Sequence, residues 1–112
     1  TGHVMSYLGE FEQLILFSVL QLGDDACGVT IRESIEARTG RVVSSGAIYT
    51  TLGRLEGRGL VRSRVAEPAG LGRPRKYYEL ESSGARALMD AYDTMQAMAG
   101  RLIPRLRKLA EG

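Results

Sequence analysis

Between Arg41 and Lys76 the chain carries eight basic residues: Arg41, Arg54, Arg58, Arg62, Arg64, Arg73, Arg75 and Lys76. Only Glu56 and Glu67 oppose them, so this segment holds a charge of +6, while the rest of the chain holds −4 and the whole chain +2. A cationic centre between acidic flanks suits a polyanion such as a nucleic-acid backbone. The plain alternative is a solvated basic surface that balances the acidic one. Other chemistry is poorly served. One cysteine, Cys27, and one histidine, His3, exclude an intramolecular disulfide framework, a multi-cysteine zinc site and a histidine-based triad. Cys27 reads as a small buried filler, because the chain offers no resolving thiol. Gly70-Leu71-Gly72 resembles a phosphate loop only superficially, since no helix can follow it through Pro74. Glu10 with Glu12, and Asp24 with Asp25, have no convergent partners, and the nucleophile-elbow, zincin and P-loop motifs are missing. The expectation is a protein that is not an enzyme and uses no cofactor or metal.

The elements that must hold these cations follow from hydrophobic periodicity. Leu8, Phe11, Ile15, Val19 and Leu22 fall at helical spacing, and Leu14, Leu16, Phe17 and Leu20 widen the stripe. A band that wide predicts burial on more than one side of the helix. Gly23-Asp24-Asp25 ends it. A second helix fits Val29 to Arg38, with Ile31 and Ile35 one turn apart and Gly40 as its stop. A third starts at Ser44 or Ser45, either of which can cap it. Its buried edge is Ile48, Leu52 and Leu55, and Gly57 and Gly59 end it. Residues 60–66 then alternate in the manner of a half-exposed strand, with Val61, Ser63 and Val65 on one side and Arg62 and Arg64 on the other. Residues 67–74 are loop, stiffened by Pro68 and Pro74. Residues 75–80 form a second strand with Lys76, Tyr78 and Leu80 on one face, so the two strands make a hairpin. Of the neighbouring rings Tyr77 and Tyr78, one faces the core and one the surface.

From Ser82 to about Ala110 the period is helical again. Ala85, Leu88, Tyr92, Met95, Ala99, Leu102, Leu106 and Leu109 are separated alternately by three and four residues, a heptad seam. One helix of that length would run about 40 Å, beyond what so small a domain can cover by itself. The seam therefore calls for a partner helix; the alternative is a helix folded back on its own core. Pro104 cannot donate to the carbonyl of Gly100, so a kink is expected there.

With 112 residues, 44% of them hydrophobic and 25% charged, the composition is that of one folded domain. The longest uncharged apolar stretch, Gln13 to Gly23, is too short to span a bilayer. No basic residue precedes an apolar core at the N-terminus, so no signal peptide is expected and the default location is the cytoplasm. Residues 1–4 precede Met5 and are set aside from the fold reading. The fold class is mainly α with a small β-hairpin.

Three helices followed by a basic hairpin is the order of a winged helix-turn-helix, here extended by a long C-terminal helix. A helix fits the major groove, and the N-terminus of a helix favours phosphate. At the third helix that end is Ser44-Ser45-Gly46, small enough for close backbone approach. The face opposite Ile48, Leu52 and Leu55 shows Tyr49, Thr50, Gly53 and Arg54, which suit phosphate and base-edge contacts. Arg73, Arg75 and Lys76 crowd the hairpin tip. The expected DNA-binding set is thus Ser44, Ser45, Gly46, Tyr49, Thr50, Arg54, Arg73, Arg75 and Lys76.

The sequence resembles the PadR family of transcriptional regulators, in its compact branch with a short C-terminal helical region. The resemblance rests on LGEFEQLILFSVL (residues 8–20), GVTIRESIEARTG (28–40), SSGAIYTTLGRLEGRGLV (44–61) and GRPRKYYEL (72–80). It implies a homodimeric repressor on double-stranded DNA with a pseudo-palindromic, inverted-repeat operator. It also implies a winged-helix unit over 5–80 and a dimerisation helix over 81–112, with the first helix packed beside it. The implied interface is Phe11, Leu88, Tyr92, Met95, Ala99, Leu102, Leu106 and Leu109. Release of DNA by a small aromatic or lipophilic effector is implied too, with Tyr7, Phe11, Tyr92 and Met95 as the pocket; plain core packing is the alternative for these residues. Two positions depart from the family pattern. Cys27 stands where an aromatic usually precedes the second helix. Glu81 stands where a Thr usually caps the last one, so Ser82 or Ser83 must cap. Two rivals to the DNA-binding regulator are a small-molecule sensor and a winged-helix protein-interaction module. Neither reading involves a membrane.

Overall fold

A computed structural model describes residues 7–67 and 72–112. Residues 1–4, with His3, and Met5 lie outside the described residues, as do Pro68, Gly70 and Leu71 of the expected loop. The order is α1 (Glu10–Leu22), a 3₁₀ turn (Gly23–Asp25), α2 (Gly28–Thr39), α3 (Ser45–Gly57), β1 (Val61–Ala66), β2 (Arg75–Leu80), α4 (Ser82–Ala99) and α5 (Ile103–Ala110). The fold is a winged helix-turn-helix, as the periodicity predicts.

One core gathers the predicted apolar edges. Ile15, Leu16 and Val19 of α1 meet Ile31 and Ile35 of α2, Ile48, Leu52 and Leu55 of α3, Val61 and Tyr78 of the hairpin, and Leu88 of α4. The first helix is buried toward α2, α3, α4 and β2, as its wide apolar band predicts, but not all round. Phe17 and Leu20 are exposed, at 38% and 62%. The surplus apolar width of α1 thus faces outward.

Helix ends follow the local chemistry. Gly40 closes α2 in the left-handed conformation at φ +73°, where a side chain would be strained. Ser44 is the cap of α3: its Oγ accepts from the N–H of Ala47 at 3.0 Å. The helix runs through Gly57, and the turn falls at Gly59, φ +75°.

The hairpin pairs antiparallel, from Val61 with Leu80 to Ala66 with Arg75. Its alternation is only half expressed as burial. Val61 and Tyr78 are buried, yet Val65 is 63% exposed and Lys76, opposite it, is exposed as well. The inner face of the hairpin simply outruns the helical layer beneath it. Tyr78 is the core ring, while Tyr77 is only half-buried.

The head of α4 is fixed to the base of the hairpin. The Glu81 N–H donates to Leu60 O at 2.9 Å, and Ser83 Oγ donates to Gly59 O at 2.6 Å. A Cβ on Gly84 would stand 2.1 Å from that same Leu60 oxygen, so only glycine permits the approach. Neither Ser82 nor Ser83 caps α4. The cap position is Glu81, which makes no side-chain cap bond. Its carboxylate accepts from Arg62 at 3.1 Å instead, and a full cation outcompetes a backbone N–H.

The predicted C-terminal helix is two helices. The chain leaves α4 at Gly100, φ +50°, and Leu102 N–H donates to Ala99 O at 2.8 Å. Pro104 then falls in the first turn of α5, where its missing N–H costs nothing. The proline is thus accommodated by a break four residues upstream, not by a kink at its own position. The seam also divides. Leu88, expected in a dimer interface, is buried in the chain's own core. Beyond it, Tyr92, Met95, Leu102, Leu106 and Leu109 are 45–75% exposed. The radius of gyration is 16.5 Å, against about 13 Å for a compact chain of this length.

Candidate nucleic-acid interface

The third helix divides as its sequence predicts. Ile48, Thr51, Leu52 and Leu55 are buried, and Ser44, Ser45, Gly46, Tyr49, Thr50, Gly53 and Arg54 face solvent. Arg54 Nη2 lies 3.4 Å from Thr51 Oγ1, a weak tether that leaves the guanidinium outward. Tyr49 is half exposed because its ring lies on the first residue of α2. A Cβ on Gly28 would fall 2.4 Å from Tyr49 Cζ and 2.5 Å from its hydroxyl oxygen. The Tyr49 phenol is thus folded back toward the start of α2, and the exposed part of the ring is its outer side.

The start of α2 is also joined to the hairpin. Tyr78 N–H donates to Ala26 O at 2.8 Å, and Cys27 bridges to Tyr77. Cys27 N–H donates to Thr30 Oγ1 at 3.0 Å. Burial disfavours a Cys27 thiolate. Hydrogen bonds from the Thr30 hydroxyl and the Thr30 and Val29 N–H groups, with the field of Arg75, outweigh it and hold the thiol below its usual range. The side chain is 3% exposed, in keeping with a buried filler.

The basic segment is less free than its composition suggests. Arg41 pairs with Glu10 at 2.8 Å and Arg58 with Glu12 at 3.1 Å. Arg62 is held by both Glu79 and Glu81, whose hydrogen bonds and charges push its guanidinium further up. Arg64 stands 5.0 Å over the Tyr77 ring and donates to Asp24 O at 3.2 Å. Lys76 lies 3.8 Å from Glu56. Among the described residues, Arg54, Arg73 and Arg75 have no carboxylate partner. These three, with the hydroxyls at the head of α3, are the ready anion contacts of this face.

Glu56 is the residue the sequence reading passes over. Ser63 Oγ donates to its carboxylate, which also faces Lys76. Burial, then the nearness of Glu56 and Tyr49, pushes the Tyr78 phenol up. One carboxylate at the end of α3 thus fixes both strands of the hairpin to the helix. Its signal was its isolation: Glu56 is one of two acids among eight cations.

Of the expected effector residues, Phe11 packs partly against the core, while Tyr7, Tyr92 and Met95 are 76%, 49% and 63% exposed. Tyr92 OH accepts from Gln96 Nε2 at 3.1 Å. Among the described residues no group of three or more His, Cys, Asp or Glu is arranged to hold a metal, and no helix is long and apolar enough to cross a membrane.

Comparison with known proteins points the same way. Residues 16–90 match the model of the transcriptional regulator PadR-like family. No match is found among curated proteins. A PadR family transcriptional regulator from Eggerthella lenta is 25% identical, with a TM-score of 0.66 over 87% of this chain and 86% of that one. A PadR family regulator from Clostridium difficile has the same fold at 24% identity and TM-score 0.65, over 93% of this chain and all of its own. A PadR-like regulator from Bacillus cereus matches at 24% identity and TM-score 0.66, over 91% and 92%.

Proposed function

Because the chain belongs to the PadR-like family of transcriptional regulators, we propose that it is a sequence-specific, dimeric DNA-binding repressor released by a small effector. The observation that carries this reading is the exposed polar face of α3 beside a hairpin bearing two carboxylate-free arginines, Arg73 and Arg75. In this reading Ser44, Ser45, Gly46, Tyr49, Thr50 and Arg54 enter the major groove. Arg73 and Arg75 hold the flanking phosphates, with Lys76 joining them when it leaves Glu56. Residues 5–80 serve as the DNA-binding unit and 81–112 as the dimerisation unit.

A dimer is favoured by the apolar stripe that continues past Leu88. Tyr92, Met95 and Ala99 continue the Leu88 side of α4 beyond the core, and Leu102, Leu106 and Leu109 follow at and after the turn into α5. The outer side of α1 is exposed too, at Phe17 and Leu20. A second copy covers such a surface with a closed two-fold interface. Tyr7, Phe11, Tyr92 and Met95 would then face a space between protomers suited to an aromatic or lipophilic effector. Occupancy of an operator excludes other proteins from it, so repression needs no further device. The working location is the cytoplasm, with the DNA.

The test is selection of bound sequences from a random duplex library at near-physiological salt. Enrichment of one inverted repeat supports the reading. Retention of no duplex above background would leave a protein-interaction module as the better account.

A further inference from the structure

The exposed side of α3 is bare beside the Tyr49 ring. Gly46 lies three residues before Tyr49 and Gly53 four residues after it, so both are its neighbours on the helix surface. Thr50 stands across from the ring, also one turn from each glycine. All four residues are exposed. A Cβ built on Gly46 or Gly53 would meet nothing within 4 Å, so no neighbour in the chain needs the space. Neither glycine has a positive φ, so the backbone does not call for glycine there either. Gly53, in the middle of α3, weakens the helix relative to alanine. The fold gains no turn and no packing in exchange. What the missing side chains leave is room.

The wall of that room is apolar. The Tyr49 hydroxyl is turned toward α2, where a Cβ on Gly28 would stand 2.5 Å from its oxygen. A molecule approaching α3 therefore meets the ring carbons of a half-exposed tyrosine rather than its hydroxyl. Thr50 closes the other side with a branched side chain that carries a methyl beside its hydroxyl. The notch between the two suits a small apolar group. In the major groove, donors and acceptors line every base pair, and the C5 methyl of thymine is the one apolar group presented.

We propose that the notch between Tyr49 and Thr50, floored by the backbone at Gly46 and Gly53, is the seat of a thymine methyl. This inference rests on the DNA-binding reading above and assigns one base preference within it. The Tyr49 ring sets the preference for thymine by contact, held in place by its packing on Gly28. Its hydroxyl takes no part in the reading. Arg54, one turn beyond Thr50, is left to the polar edges of neighbouring bases.

Uracil substitution tests this, because it removes the C5 methyl and leaves base pairing and backbone unchanged. The probe is a duplex selected from the random library, with each thymine replaced in turn by deoxyuridine and the affinity titrated. The parent chain should lose about fourfold in affinity at a thymine of the half-site, the worth of one buried methyl. Tyr49→Phe should keep this thymine–uracil difference in full, and Tyr49→Ala should abolish it. Gly53→Ala puts a methyl of its own into the notch. It should keep or raise the thermal midpoint, yet lose both affinity for the thymine duplex and the thymine–uracil difference. Should Tyr49→Ala bind too weakly to titrate, Gly53→Ala decides. A selected duplex in which no thymine is sensitive overturns the methyl seat and leaves α3 as the reading element. So does a difference lost in Tyr49→Phe, or one undiminished in Tyr49→Ala or Gly53→Ala. Failure of the parent chain to retain any duplex overturns the DNA-binding reading itself.

Discussion

The ring of Tyr49 rests on Gly28, so that a Cβ at that glycine would meet Cζ at 2.4 Å. The contact links the exposed face of α3 to the first residue of α2. It also leaves no room for a larger residue unless the ring swings away. A tyrosine ring is the far end of a flexible side chain, and Gly28 has ordinary helical backbone geometry. Gly28→Ala should therefore change stability by less than about 1 kcal/mol, since the helix gains what the contact loses. Its effect should appear on DNA, as weaker operator binding that is absent in a Tyr49→Ala background. The measurement is a double-mutant cycle on operator affinity; additive losses would mean the two residues act separately.

Gly84 makes the opposite case. Its missing Cβ faces the Leu60 carbonyl oxygen, which the Glu81 N–H also engages. Backbone cannot swing aside as a ring can. Gly84→Ala should cost about 3 kcal/mol, at the upper end of overpacking losses, and lower the thermal midpoint by roughly 10 °C. Thermal unfolding followed by circular dichroism decides it. A shift within 2 °C or so, by the same scaling, would mean that α4 slides without penalty.

Much of this architecture is legible in the sequence. Ile48, Leu52 and Leu55 sit at helical spacing, which assigns the opposite face of α3 to solvent, and Ser44 is a strong cap. Pairings between distant segments are a different matter. Nothing local tells that Arg41 finds Glu10, or that Arg62 takes Glu81 away from capping α4, because each depends on how the elements pack. The contacts of Gly28 and Gly84 are illegible for the same reason. The break at Gly100 is a nearer miss. Pro104 announces a lost hydrogen bond to its carbonyl, but a heptad count treats Gly100 to Leu102 as continuous helix.

Glu56 holds Lys76 back from solvent anions at 3.8 Å. Replacing it with Gln removes a negative charge from the proposed DNA face while keeping an acceptor for Ser63. Glu56→Gln should tighten binding to all duplexes and steepen the salt dependence by up to about one unit as Lys76 is released to phosphate. Titrations at several salt concentrations with operator and random DNA check this. An unchanged slope would mean Lys76 never reaches the backbone.

The Arg41 guanidinium, through its hydrogen bond and then its charge, holds the Glu10 carboxyl below the usual range. A lowered folded-state value means the pair stabilises the fold above the unfolded carboxyl value of about 4.3. That contribution disappears as pH falls through the lower folded value. Both groups are exposed, so the effect is small and weakens with salt. Denaturant unfolding of the parent and Glu10→Gln at low salt should differ near pH 7 and converge in acid. A difference that persists at low pH would assign the effect to helix packing.

The geometry of the proposed dimer constrains the operator. A two-fold axis presents the exposed face of α3 twice, so each half-site carries the same sequence on opposite strands. Successive major grooves on one side of B-DNA recur about every 34–36 Å, which sets the half-site centres one turn apart. Arg54 and Arg73 then divide the work. Arg54 projects from the helix, with only Thr51 near its guanidinium. Its loss should relax preference at particular base pairs by about 1–3 kcal/mol. Arg73 and Arg75 lie on the hairpin, and their replacement by Ala should weaken all duplexes alike and reduce the salt slope by about one unit each. Where Arg73 reaches a minor groove, a narrow A·T tract beside the half-site should be favoured. Arg54→Ala, Arg73→Ala and Arg75→Ala measured against a panel of single-base operator variants separate the two roles. A selected site without two-fold symmetry, or a base preference untouched by any change from Ser44 to Arg54, would rule out α3 as the reading element.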